Sequence, residues 1–114
     1  MTTCAQTDPL ISYETSLLHA ARYVGGNDPG FALISPVFAD LSGLPPLLIQ
    51  VGEHEVLRSD SECLAENARQ AGVEVTLEVW EGMWHDWPMY AGLVPESQRA
   101  VEKMGVFIQE RVNL

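Results

Sequence analysis

The chain has 114 residues, enough for one small domain, and 46% of them are hydrophobic, so disorder along its whole length is excluded. Six basic and sixteen acidic residues give a formal net charge of −10 at pH 7, which repels nucleic acid backbones and anionic membranes. The Lys and Arg residues are scattered singly, so no basic patch overcomes this repulsion and nucleic acid partners are excluded.

Cysteine content and hydropathy narrow the class of protein further. The two cysteines, Cys4 and Cys63, are too few for a disulfide framework or a thiolate metal site, so we expect both to be free thiols. The chain opens without a signal-peptide pattern, and no segment approaches the ~20 apolar residues that span a membrane. We therefore expect a soluble, cytoplasmic protein without a membrane span.

The first predicted element is a short surface helix. Ser12 is suited to cap it, and Gly25-Gly26 is suited to end it. Its apolar positions follow helical spacing: Tyr13, Leu17, Ala20, Ala21 and Val24. From Phe31 to Pro46 the prolines and Gly43 interrupt every period, which favours an extended loop.

A strand, a helix and a second strand follow. Leu47 to Gly52 is a nearly unbroken apolar run, typical of a strand buried on both faces of a parallel sheet. After a polar loop, Ser59 and Glu62 fit a capping box that predicts the start of a helix, and Gly72 ends that helix. From Val73 to Val79 apolar and polar residues alternate, as in a half-covered strand near a sheet edge.

The last predicted element is a helix that begins at Pro95, after a loop over residues 81 to 93. Its apolar stripe is broad: Ala100, Val101, Met104, Phe107, Ile108 and Val112. The order β-α-β-α predicts the α/β fold class, with the two strands parallel because a helix crosses between them. Two strands are few for such a sheet, so we expect another copy of the chain or a missing portion of sheet to cover the open edge.

The two loops that follow the strands contain the candidate chemistry. They carry Glu53-His54-Glu55 and Met83-Trp84-His85-Asp86-Trp87, and loops at the carboxyl ends of parallel strands meet at one end of the sheet. A carboxylate that binds one imidazole nitrogen orients the ring and leaves the other nitrogen free to act as a base. The sequence therefore predicts an acid and histidine pair at this end of the sheet.

Several ordered blocks resemble the hormone-sensitive lipase type of α/β-hydrolase. They are the stretch from Ser35 to Pro46, then Val51-Gly52-Glu53-His54-Glu55-Val56-Leu57, then Glu81-Gly82-Met83-Trp84-His85, preceded by Asp8-Pro9 and Tyr23-Val24-Gly25-Gly26-Asn27-Asp28-Pro29. The resemblance covers nearly the whole chain and corresponds to the carboxyl-terminal part of that domain. It implies a partial α/β-hydrolase fold, a short parallel sheet with flanking helices, over residues 1–114.

By this resemblance Glu55 takes the place of the triad acid, which is usually aspartate, and His85 takes the place of the general base. Because glutamate has one extra methylene, we expect its loop to shift slightly to meet the imidazole. Asp86 stands where the family usually has glycine. The resemblance implies a carboxylesterase or lipase acting on a small-molecule ester, with no metal or organic cofactor.

The nucleophile is absent from the sequence. None of the nine glycines has a serine two positions later, so there is no G-x-S-x-G elbow, and no HGGG loop occurs. We expect an esterase fragment that hydrolyses a short acyl or aryl ester only if a partner or a missing amino-terminal half supplies the serine. The alternative is a non-catalytic, self-associating or protein-binding module, and in either case we expect a homo-oligomer or an incomplete fold.

Other residues near the predicted pair have competing interpretations. Glu53 and Asp60 are rivals of Glu55 for the acid, although Asp60 is better placed to cap the helix. His54-Glu55 begins like H-E-x-x-H, but Arg58 occupies the last position, which excludes a zinc helix. Three aromatic residues either line a substrate pocket or belong to the core or an interface: Trp80, Trp84 and Trp87. His19 is expected to be exposed on the first helix.

Overall fold

Helices and strands alternate along the chain as the α/β class requires. The computed structural model describes residues 8–112. Its elements are α1 (Tyr13–Val24), β1 (Leu47–Gly52), α2 (Arg58–Gln70), β2 (Val75–Trp80) and α3 (Pro95–Val112), with 3₁₀ turns at Pro36–Phe38 and Trp87–Tyr90. The predicted order of one helix followed by β-α-β-α is confirmed, including the start of α3 at Pro95.

The sheet brings the ends of β1 and β2 side by side. The two strands pair in parallel, with Leu47 opposite Val75 and Gly52 opposite Trp80. They are the whole sheet within residues 8–112. Because the strands run in the same direction, the loops that leave Gly52 and Trp80 lie at the same edge. That edge carries the candidate site.

Local signals set the ends of α1. The Ser12 hydroxyl accepts a hydrogen bond from the Thr15 N–H at 3.2 Å, which satisfies one of the free donors at the start of the helix. Gly25 adopts a left-handed conformation with φ of 57° and ends the helix, because a residue without Cβ adopts that backbone at little cost. Both ends agree with the prediction.

The predicted ends of α2 and β2 need correction. The helix begins at Arg58, with Leu57 at the N-cap position and no side-chain cap, so the capping box of Ser59 and Glu62 is wrong and Asp60 lies inside the first turn. The turn at Glu55 already directs the backbone into the helix, because the Arg58 N–H donates to the Glu55 carbonyl. At the other end the Val73 N–H donates to the Ala68 carbonyl, which delays β2 until Val75.

The core has two buried parts, one where α2 packs on the sheet and one where α3 meets the second 3₁₀ turn. One buried cluster comprises Leu41, Ala68 and Val73. Where α3 meets the second 3₁₀ turn, Trp87, Ser97 and Ala100 are buried. The expectation that β1 is buried along its length is wrong, since Leu47 to Gln50 are half-buried and burial begins at Val51. The physical reason is the missing neighbour, because no further strand lies beside β1 within the described residues.

Two further expectations concern the cysteines and the membrane. Cys63 is a free thiol on the exposed surface of α2, while Cys4 lies outside the described residues. No helix in residues 8–112 combines the length and the apolar character needed to cross a bilayer.

Candidate active site

Backbone bonds join the loop after β1 to the loop after β2. The Glu53 N–H donates to the Trp80 carbonyl at 2.9 Å, and the His54 N–H donates to the Met83 carbonyl at 3.1 Å. The Glu53 carboxylate accepts a third bond, at 2.9 Å, from the Gly82 N–H. These three bonds continue the contact between the strands beyond the sheet, so the positions of the two loops depend on each other.

Gly52 makes this close approach possible. A Cβ atom at this position would lie 2.4 Å from the Met83 carbonyl oxygen and 2.7 Å from its carbon. Neither atom can move without shifting the backbone that leads to His85. The last residue of β1 therefore has to be glycine for the second loop to pack directly on it.

The Glu55 carboxylate is buried and has a partner on each oxygen. Glu55 is only 6% exposed. Oε2 accepts the Gly52 N–H at 2.8 Å, and Oε1 accepts Nδ1 of His85, also at 2.8 Å. Two donors compensate for the loss of hydration that burial of a carboxylate would otherwise impose.

Nδ1 of His85 binds Glu55, and the same residue lines an apolar groove. An ionised carboxylate only accepts hydrogen bonds, so the bond to Glu55 places a proton on Nδ1. Nε2 lies 3.2 Å from Oδ2 of Asp86, whose side chain is 61% exposed. Asp86 is also the one residue other than glycine with a positive φ, 58°, in residues 8–112. Sequence reasoning predicted the Glu55 and His85 pair but not this contact.

The other candidate residues take different places. Glu53, a rival acid, is bound to the Gly82 amide. Asp60 lies in the first turn of α2, away from the carboxylate that binds His85. Nε2 of His54 is 3.9 Å from Glu53. Of the two carboxylates beside His54, Glu55 is the one that binds the His85 ring.

One of the three tryptophans is fully buried, and the other two are half-buried. Trp87 is 1% exposed, and its ring centroid lies 5.9 Å from that of Trp80. Trp84 meets the edge of Tyr90 at 5.7 Å. Trp87 therefore belongs to the core, where it supports the turn that follows His85, and is not part of a pocket wall.

A groove of about 510 Å³ opens beside the pair, between α1 and the loop after β1. Apolar side chains dominate its lining, and His85 and His19 lie along it. Its apolar residues are Leu10, Ile11, Ala20, Tyr23, Val56 and Leu57. His19 is exposed on α1, as expected, but its place along this groove was not predicted. A groove of this size with a mostly apolar lining suits a small apolar ligand.

Within residues 8–112 no group of three or more His, Cys, Asp or Glu side chains is arranged to hold a metal ion. The described site contains a buried carboxylate, an imidazole and an apolar groove. This combination orients a base toward a neighbouring hydroxyl or water.

Comparison with known proteins identifies a family and a part of its fold. A family model of the alpha/beta hydrolase fold matches residues 1–89. An acetyl-hydrolase of Streptomyces hygroscopicus is 49% identical over 79% of this chain, and an esterase of Acinetobacter venetianus is 38% identical over 88% of it. The chain spans 30% and 33% of the length of these two relatives.

Solved structures agree with the sequence relatives. A hormone-sensitive lipase from a metagenome library has a TM-score of 0.93 and 42% identity over 97% of this chain. An esterase of the bacterial hormone-sensitive lipase family has the same TM-score and 43% identity. This chain covers 38% and 37% of those two chains.

Proposed function

The chain belongs to the α/β-hydrolase family, of the hormone-sensitive lipase type, and on this premise we propose that Glu55 and His85 are the acid and the base of an ester-hydrolysing triad. The observation that carries the proposal is the 2.8 Å bond between Oε1 of buried Glu55 and Nδ1 of His85. Residues 1–114 then form a single partial α/β-hydrolase domain.

The serine of the triad would come from outside these 114 residues, in an adjoining segment of polypeptide or in a separate chain. With Nδ1 bound to Glu55, Nε2 of His85 is the nitrogen that would remove the serine proton, once the exposed Asp86 side chain 3.2 Å from it turns away. The serine oxygen then attacks the ester carbonyl carbon, and the imidazolium returns its proton to the departing alcohol. In the second half of the reaction, His85 takes a proton from water as the water oxygen attacks the acyl carbon. The bond from that carbon to the serine oxygen then breaks, the imidazolium returns its proton to the serine oxygen, and the acid is released.

The glutamate in place of aspartate fits this role geometrically. A tight turn, closed by the Glu55 N–H bonding to the Gly52 carbonyl, sets the acid three residues beyond the strand. The longer side chain returns to the Gly52 amide with one oxygen and to His85 with the other. The additional methylene is accommodated in this turn, so the acid role does not depend on aspartate.

The substrate class follows from the groove and from the relatives. The relatives are described as an acetyl-hydrolase and an esterase. The groove is mostly apolar and has about 510 Å³, which suits a short acyl or small alcohol group. We propose a small carboxylic ester as the substrate, hydrolysed without a metal or an organic cofactor.

The proposal is tested in a chimera that contains the missing nucleophile. This chain replaces the matching segment of the Streptomyces hygroscopicus acetyl-hydrolase, and hydrolysis of a short chromogenic ester is measured. His85→Ala should lower kcat about 10⁴-fold or more, since triad members act as a unit. Glu55→Gln should lower kcat by roughly 10²- to 10⁴-fold, because the oriented tautomer is lost.

Two matched variants control for non-specific damage. His54→Ala removes the histidine next to Glu55 in the loop after β1. Glu81→Gln removes an exposed carboxylate in the loop after β2, which carries His85. Both should leave kcat unchanged. A chimera that keeps its rate with alanine at position 85 would refute the catalytic assignment. Mixing this chain with the separate serine-bearing remainder of the relative shows whether two chains can complement each other.

A second candidate function is a self-associating or protein-binding module without catalysis. The observation in its favour is the apolar surface of α3, where Val101, Val106, Ile108 and Val112 are exposed. The chain should then form a stable oligomer in sedimentation, and Ile108→Lys should dissociate it, whereas Leu93→Lys on a surface loop should not. A monomer at high concentration would contradict this candidate and leave the triad proposal untouched.

A further inference from the structure

Asp8 joins two distant parts of the chain. Its Oδ1 accepts hydrogen bonds from the N–H groups of Leu10 and Ile11, at 2.8 and 3.0 Å. Its Oδ2 accepts the N–H of Val56 at 2.9 Å. Val56 follows Glu55 directly and is buried, so this bond attaches to the peptide that carries the proposed acid.

The bond to Val56 completes the anchoring of Glu55. On one side of Glu55, its own N–H donates to the Gly52 carbonyl at 3.1 Å. On the other side, the Val56 N–H depends on Asp8. A buried amide without an acceptor is costly, so loss of the Asp8 carboxylate would force this turn to rearrange. Because Oε1 of Glu55 holds His85, a shift of the turn would move the imidazole as well.

Oδ1 of Asp8 holds the backbone of two residues that line the groove. Leu10 and Ile11, whose amides it binds, line the groove beside His85. Val56 lines the same groove. One carboxylate therefore connects the segment that leads into α1 with the loop that carries the acid.

Other aspartates show what a purely local turn looks like here. Oδ1 of Asp28 accepts the Gly30 N–H at 2.9 Å, and Oδ1 of Asp40 accepts the Ser42 N–H at 3.0 Å. Both bonds span two residues, as in an ordinary Asx turn. Asp8 makes an additional bond across 48 residues, which a local turn does not require.

We infer that Asp8 is a positioning residue for the triad acid, and that it also holds one wall of the groove next to His85. The inference rests on the proposed function for its catalytic meaning. Its structural part concerns the turn at Glu55 and can be measured in the 114-residue chain alone.

The test separates the two oxygens of Asp8. Asp8→Ser keeps an acceptor for the local turn, but its side chain is too short to reach Val56. Asp8→Asn keeps the size of the side chain and has one acceptor oxygen. That oxygen should stay with the two amides of Leu10 and Ile11, which leaves the NH₂ group facing the Val56 N–H. Asp28→Ser is the matched control, because Asp28 makes the same kind of local turn bond, across two residues.

Hydrogen exchange and nitrogen NMR supply readouts that need no activity. In both Asp8 variants the Val56 amide should exchange at least about tenfold faster, and His85 should lose its preference for the tautomer with the proton on Nδ1. The amides of α1 should keep their protection in both variants, and Asp28→Ser should change neither signal. Unchanged Val56 exchange and His85 tautomer in both Asp8 variants would overturn the inference.

Activity in the chimera gives a second, separable result. Asp8→Ser should lower kcat by about 10- to 100-fold with KM unchanged, since small misplacements of catalytic groups have effects of that size. Asp8→Ala, which also releases Leu10 and Ile11, should raise KM in addition. Full kcat in Asp8→Ser beside an inactive His85→Ala would overturn the inference and preserve the proposed function. An active His85→Ala would refute the proposed function, and the NMR result would still decide the structural role of Asp8.

Discussion

The loops after β1 and β2 differ sharply from the outer surfaces of α1 and α3. In the loops, the partners of each site residue lie within the chain itself, from the Gly52 amide on Glu55 to the imidazole of His85. On the helices, large apolar side chains face the solvent, such as Leu17 on α1 and Ile108 on α3. The site is assembled by contacts within this sequence, while the apolar surfaces lack a cover within the described residues.

This difference indicates which properties of the site depend on other polypeptide. The geometry of the acid and the base is fixed by short hydrogen bonds and a close backbone approach, so it should persist wherever the chain is placed. The stability of the fold depends on burial of apolar area, and α1 and α3 each leave several large apolar side chains exposed. Substitutions in the two regions should therefore have effects of very different size.

The largest effect on stability is expected where the loops meet. In Gly52→Ala the new Cβ would overlap the Met83 backbone, which cannot rotate away as a side chain does. The free energy of unfolding, measured with urea, should fall by about 3 kcal/mol. Gly105→Ala is the matched control, because nothing lies within 4 Å of the added Cβ on α3, and it should gain about 0.5–1 kcal/mol. If both substitutions changed the free energy of unfolding equally, Gly52 would not be more tightly packed than Gly105.

A smaller effect is expected where α3 meets the turn behind the site. The buried Ser97 hydroxyl donates to the Trp87 carbonyl at 2.5 Å, so Ser97→Ala should cost about 0.5–1.5 kcal/mol by removing this buried hydrogen bond. Ser42→Ala removes an exposed hydroxyl bond of the same length, to Asp40, and should change stability by less than about 0.5 kcal/mol. Thermal unfolding of both variants makes this comparison, and a loss of similar size in Ser42→Ala would contradict it.

Much of this fold follows from local signals in the sequence. The ends of α1 were predicted because Ser12 and Gly25 act on adjacent backbone, and the strands were predicted from their apolar periods. The predicted start of α2 was wrong because a turn at Glu55, and not a capping box at Ser59, determines where the helix begins. Sequence position after a strand was enough to find Glu55 and His85.

The residues that sequence reasoning missed act across long distances in the chain. Asp8 bonds to Val56 across 48 residues, and Gly52 is constrained by Met83 in the next loop. No periodicity or spacing encodes these contacts, because each depends on how two loops meet after the sheet has formed. From the sequence, Asp8-Pro9 belongs only to a family resemblance, which does not imply the contact between Asp8 and Val56.

The smallest effect is expected where β2 meets α3, at the 2.8 Å ion pair between Lys103 and Glu78. Burial raises the pKa of Glu78, but hydrogen bonds from Lys103, Trp80 and Gln50 outweigh it and lower this pKa below its ordinary 4.5. A lowered carboxylate pKa contributes stability above pH 4.5, and this contribution is lost as the pH falls through the folded-state value.

Lys103→Met keeps the aliphatic stem and removes the charge, so it should cost about 0.5 kcal/mol near neutral pH. The difference from the unmodified chain should shrink as Glu78 becomes protonated in acid, which urea unfolding at several pH values can follow. Arg99→Met removes an exposed i, i+3 pair with Glu96 and should change stability less. A penalty for Lys103→Met as large as that for Gly52→Ala would mean that the exposed surface is held as firmly as the loops. The division between an acid and histidine pair held within the chain and an uncovered exterior would then be wrong.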